Sequence, residues 1–88
     1  MDNMLVESVK DYLGITTDDI DVTRNISIKA NAVKGYLIKA GATIDENNYS
    51  EEVIACIATG VNDLLNNKAG DTKFSPVFNM LAMQICRG

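Results

Sequence analysis

Apolar residues recur every three or four positions along four stretches of the chain, a spacing that places them on one side of an α-helix. The first stretch covers about residues 3 to 13 and ends at Gly14, a residue type that often follows a helix C-terminus. The second begins near Thr17 or Asp18, whose side chains can cap a helix, and ends at Gly41. Its predicted core stripe contains Val22, Ile26, Ala30, Val33, Leu37 and Ala40.

The third stretch begins at Ser50 and ends at about residues 66 to 67. The fourth begins with Ser75 as a cap and Pro76 at the first helical position, and it continues to the end of the sequence. No stretch of useful length alternates apolar and polar residues as a strand does. The pattern therefore predicts an all-α fold, a small bundle of about four helices in a single domain over residues 1–88. The predicted core residues of the fourth helix are Val77, Leu81 and Ile85.

Two features interrupt this helical pattern. Gly60 lies inside the third helix, where glycine costs about 1 kcal/mol relative to alanine. One interpretation is that a neighbouring helix crosses closely at this point. The segment at about residues 66 to 74 is rich in Asn, Gly, Asp and Lys and is predicted to be a mobile loop.

Two of the predicted helices also carry apolar residues on the side opposite their core stripe. Isolated surface hydrophobes are common in soluble proteins, so these residues need not have a role. The second interpretation is that a small domain with two-sided helices buries its other face against a neighbour, a contact for which adaptable methionine side chains are suited. We favour this interpretation and predict a protein interface formed by Ile20, Ile28, Ile38, Met80, Met83 and Arg87.

Composition supports association and disfavours nucleic-acid binding. The chain has 88 residues, of which 47% are hydrophobic and 23% charged, as in a globular domain. Because a chain of this size buries only about 60% of its unfolded surface, the monomer is expected to be marginally stable, which favours association with copies or a partner. The net charge of −4 has the wrong sign for binding phosphates. The basic residues of the second helix are scattered around it: Arg24, Lys29, Lys34 and Lys39.

Candidate chemistry is sparse. The chain lacks histidine, the commonest general base and metal ligand. Cys56 and Cys86 belong to no paired motif and are assigned to packing, with Cys56 on the polar side of the third helix. The acidic cluster Asp18, Asp19 and Asp21 lacks the spacing of a calcium loop and is interpreted as helix capping. We predict no catalytic, cofactor or metal site. Without a signal-like segment or a long apolar run, the protein is expected to be soluble and intracellular, with no membrane partner.

Several segments together suggest a family. The sequence reads LVESVKDYL at residues 5–13, GI at 14–15 and DDID at 18–21, and a long helix follows. The end reads QICRG at 84–88, which is similar to a Gln-Leu-Arg signature with one extra residue before the arginine. In this pattern the chain resembles the small head-tail connector family, the adaptor proteins that attach beneath the portal of tailed bacteriophages.

This resemblance implies an all-α virion subunit at the head-tail junction, present in the host cytoplasm during assembly. Such a subunit forms a ring of copies, docks on the portal protein, receives the tail-proximal joining protein and leaves a channel for DNA, which links it to DNA packaging. The resemblance brings no catalytic residue or cofactor, so we expect no enzyme and no specific nucleic-acid binding. The alternative is a small helical regulator that binds DNA or another protein. A recognition helix would need a basic face, and the fourth helix offers only Asn79, Gln84 and Arg87.

Overall fold

Four α-helices make up most of the part of the chain that the computed structural model describes, which is residues 3–17, 19–45, 48–66 and 74–86. Helix α3 packs against each of the other three, and α1 also packs against α2. The described residues contain no strand, and the prediction of an all-α bundle is confirmed. The helices are α1 (Asn3–Leu13), α2 (Ile20–Lys39), α3 (Glu51–Asn66) and α4 (Pro76–Cys86).

Glycine residues end α1 and α2, as the sequence predicts. Gly14 has a φ of 73° and Gly41 a φ of 107°, a left-handed conformation that side chains other than glycine rarely adopt. In both cases the N–H of the residue after the glycine donates to the carbonyl oxygen five positions earlier, at 2.9 Å. This closure is the Schellman motif, and it turns the chain sharply toward the next helix.

Side-chain oxygens cap the N-termini of α2, α3 and α4. Helix α2 begins slightly later than predicted, because its cap is Asp19, whose carboxylate accepts from the N–H of Asp21 at 2.9 Å. Asp18 lies outside the described residues. Ser75 caps α4 as predicted, and Ser50, predicted as the start of α3, caps that helix: each hydroxyl oxygen accepts from the N–H three residues later, at 3.2 Å.

The core lies between α1, α2 and α3, with one residue from α4. The predicted stripe of α2 is confirmed in its central turns, but Val22 is 37% exposed and Ala40 is also exposed. Val22 lies in the first turn of α2 and Ala40 is its C-cap, so both lie beyond the buried stretch that runs from Ile26 to Leu37. The buried apolar residues are Leu5, Val6, Val9, Ile26, Ala30, Val33, Leu37, Ala42, Tyr49, Val53, Cys56, Ile57, Ala58, Val61 and Phe78.

Helices α2, α3 and α4 meet at Gly60. A Cβ atom at this position would lie 2.7 Å from Cε1 of Phe78 and 2.9 Å from Cγ1 of Val33, well inside van der Waals contact. The missing side chain therefore provides the space that the Phe78 ring occupies. We call this space the Gly60 notch. The interpretation of Gly60 as a close helix crossing is confirmed.

The Gly60 notch also sets the rotation of α4, which differs from the prediction. Phe78 is fully buried, whereas Val77 is 56% exposed and does not belong to the core. Leu81 and Ile85 are partly buried against the core, as expected. The prediction was wrong at Val77 because the larger Phe78 ring occupies the notch, so α4 turns Val77 outward.

A carboxylate of α3 holds the start of α4. The N–H of Ser75 donates to Oδ2 of Asp63 at 2.9 Å, which places a negative charge beside the N-terminus of α4. Most of the predicted loop at residues 66 to 74 lies outside the described residues, so its predicted mobility stays a prediction.

Replacing Gly60 by alanine is expected to lower the free energy of unfolding by about 1–3 kcal/mol, although alanine favours a helix. The new methyl group would meet Phe78 and Val33, and both are fully buried and have no room to shift. Urea unfolding followed by circular dichroism measures the change.

Gly35→Ala is the matched control, because Gly35 lies in α2 and a Cβ there has no atom within 4 Å. This variant should gain about 0.5–1 kcal/mol, since only the unfavourable helix propensity of glycine is removed. Equal effects of the two substitutions would show that Gly60 is not tightly packed.

Candidate functional site

The outer side of α4 presents three exposed apolar side chains. Val77, Met80 and Met83 expose 56%, 60% and 66% of their surfaces. They follow one another at a spacing of three, so they lie on adjacent turns. No charged residue occurs anywhere in Pro76–Cys86. We call Val77, Met80 and Met83 the α4 face. The outward position predicted for the two methionines is confirmed, and their role as an interface stays a prediction.

A groove of about 280 Å³ adjoins the α4 face. It lies between α4 and the C-terminal end of α2, and Met83 belongs to both the groove and the face. Among its lining residues, Tyr36 and Asn79 have polar side chains. The groove and the face therefore form one continuous, mainly apolar surface. The groove is lined by Tyr36, Ala40, Asn79, Ala82, Met83 and Cys86.

An aromatic cluster supports this surface from beneath. The rings of Phe74 and Phe78 stack with their centroids 4.1 Å apart. Tyr36 of α2 lies against both, at 5.3 Å from Phe74 and 6.1 Å from Phe78. Such pairs add to the stability that burial alone provides. Tyr36 thus joins the groove to the core, a role that the helical pattern did not predict.

The three isoleucines of the predicted interface are exposed but do not lie together. Ile20 and Ile38 stand about 27 Å apart along α2, given the rise of an α-helix, and Ile28 lies between them. Ile38 also projects from a side of α2 roughly opposite Tyr36, two positions earlier. The predicted interface residues therefore occupy at least two separate places, α2 and the α4 face. Arg87 lies outside the described residues.

The two cysteines differ in accessibility. Cys56 is fully buried, so its predicted place on a polar side of α3 is wrong. The reason is that α3 is the central helix and is covered by three neighbours. Burial, with a smaller contribution from Cys86, raises the pKa of the Cys56 thiol from 9.0 to about 11. Cys86 is half-buried at the groove.

Other chemistry is limited in the part of the chain that the structure describes. No group of three or more His, Cys, Asp or Glu side chains there could hold a metal ion. The one buried cationic side chain among these residues, Lys10, has its Nζ atom 3.4 Å from Oγ1 of Thr23. None of the described helices is both long and apolar enough to cross a membrane.

Comparisons with protein families, with characterised proteins and with solved structures found no match. The resemblance to head-tail connectors therefore rests on the sequence pattern, and the functional interpretation rests on that pattern together with the surface of α4.

Cys56 should react much more slowly than Cys86 with iodoacetamide in the folded protein at pH 8, by about a hundredfold or more, because the reactive thiolate of Cys56 is scarce and buried. Mass spectrometry of alkylated peptides measures both rates. In urea the two rates should converge. Similar rates in the folded protein would contradict the closed packing around Cys56.

The raised pKa of Cys56 also predicts a pH dependence of stability. Above pH 9 the unfolded chain releases the thiol proton while the folded protein keeps it, so the free energy of unfolding should fall between pH 9 and about 11. Comparison with Cys56→Ala isolates this contribution from other groups that titrate in the same range. If the free energies of unfolding of the native chain and of Cys56→Ala fell in parallel between pH 9 and about 11, this predicted contribution of Cys56 would be contradicted.

Proposed function

We propose that the protein is a structural adaptor of a tailed-phage virion that joins head to tail beneath the portal. The sequence resemblance supplies the family. The structural observation that supports it is the α4 face, an exposed apolar surface without charge on a small acidic helical domain. A subunit that functions between neighbours needs such a surface, whereas an isolated soluble domain does not.

In this proposal the adaptor acts through geometry and surface contacts. Copies form a ring, and a head-to-tail contact in a ring joins two different surfaces of the same subunit. The α4 face and the exposed isoleucines of α2 are two apolar regions on different helices. The portal protein and the tail-proximal joining protein would contact the two sides of the ring. This role requires no catalytic residue, cofactor or metal.

Native mass spectrometry over a concentration series, with and without portal assemblies of the same phage, tests the proposal. We expect a ring-sized oligomer, or binding of the subunit to the portal. Met83→Glu should weaken this assembly while leaving the helical circular dichroism signal unchanged, because Met83 is 66% exposed.

Asn62→Glu, an equal change of charge at an exposed position of α3, is the control and should assemble normally. A protein that remains monomeric at high concentration and does not bind portal assemblies would contradict the proposal.

The adaptor is also expected to bind duplex DNA weakly. Its charge of −4, repeated around a ring, would repel the phosphates and let DNA slide through the channel. Among the basic residues, Lys10 is buried, and Lys29 donates to the side chain of Asn25 at 2.6 Å. Fluorescence anisotropy at low salt measures the affinity. Submicromolar, salt-sensitive binding by the free protein would instead support a DNA-binding regulator.

A further inference from the structure

The α4 face has properties that suit contact with its own copy. In a two-fold contact the same patch of each copy meets its counterpart, so a charge near the axis faces a like charge and any other charge must be desolvated or matched by an opposite one. Helix α4 has none. Its exposed amide side chains, Asn79 and Gln84, each carry both a donor and an acceptor, so either can form hydrogen bonds with an identical group.

The net charge restricts where two copies can meet. Each copy carries −4, and copies therefore repel one another at low salt. Contact through the outer side of α2 would require the exposed ionic groups of Asp21 and Arg24 to lose hydration. Contact through α4 buries apolar surface, and Pro76–Cys86 itself contributes no charged side chain.

The exposed area limits the strength of such a contact. Together with Tyr36, the α4 face presents on the order of 400 Å² of mostly apolar surface, comparable to the largest patch on a typical monomer. A standard interface covers about 800 Å² on each partner. The area is thus sufficient for a weak, concentration-dependent pair and too small for a permanent one.

We propose that two copies of the free protein associate through their α4 faces about a two-fold axis, with side chains of the partner's α4 entering the groove beside Tyr36. This pair goes beyond the proposed function, because it is a closed contact that forms without a portal. In this pair the α4 face of each subunit is covered before the subunit joins a ring or a portal. Unbranched, flexible methionine side chains suit a surface that contacts different neighbours in turn.

Cysteine cross-linking of the 88-residue chain tests the symmetry of the contact. In a Cys86→Ala background, Met80→Cys places one accessible thiol on the α4 face, while Cys56 stays buried. A short bifunctional maleimide should convert this variant to a covalent dimer at high protein concentration. Ile28→Cys is the control, because Ile28 is exposed to a similar degree on α2. It should remain monomeric. Absence of dimer from Met80→Cys, or equal dimer from both variants, overturns the inference.

Sedimentation equilibrium of the native chain provides the second measurement. We expect a monomer-dimer equilibrium that shifts toward dimer when salt is added, because salt screens the repulsion between like-charged copies. Met83→Glu should raise the dissociation constant by at least about tenfold, since the contact would then bury an unpaired carboxylate from each copy in an apolar surface. A dimer that weakens with salt, or that Met83→Glu does not affect, overturns the α4 contact.

The two proposals can fail separately. A dimer linked through α4 in a protein that neither forms a ring nor binds a portal supports the inference and contradicts the adaptor function. Portal binding by a protein that shows no α4 dimer contradicts the inference alone.

Discussion

The contact between the Phe78 ring and the backbone of Gly60 determines how the last helix sits on the rest of the bundle. Because Gly60 has no side chain, the Phe78 ring of α4 and the Val33 side chain of α2 both lie close to the backbone of α3 at this position. Placing Phe78 inward leaves the opposite side of α4 facing outward, and that side carries Met80 and Met83. The exposed apolar surface is thus a consequence of the packing beneath it.

Local rules were sufficient to predict most of the helices. Glycines with positive φ at residues 14 and 41, and serine caps at residues 50 and 75, act through neighbouring backbone atoms, so their effects are visible in a short stretch of sequence. The core stripe of α2 was predictable for the same reason, because helical periodicity alone brings Ile26, Val33 and Leu37 to one side.

The errors at Val77 and Cys56 arose where several helices meet. Periodicity along α4 favours Val77 as much as Phe78, and only the space above Gly60, a feature of another helix, selects the phenylalanine. Cys56 was assigned to a polar side because a helix was assumed to have one buried face, and α3 is covered by three neighbours. One local signal did exist: Phe74 precedes the Ser75 cap and Phe78 follows four positions after Phe74, a spacing that lets the two rings stack.

The attachments of α4 are concentrated at its N-terminus. The hydrogen bond from Ser75 to Asp63 and the burial of Phe78 both lie within its first turn, whereas the later inward residues, such as Leu81 and Ile85, are only partly buried. The helix is therefore anchored at one end. A small tilt about Phe78 displaces Cys86 much more than Ser75, and Cys86 lines the groove. A tilt of this kind would change the width of the groove while the Phe78 ring stays in the Gly60 notch.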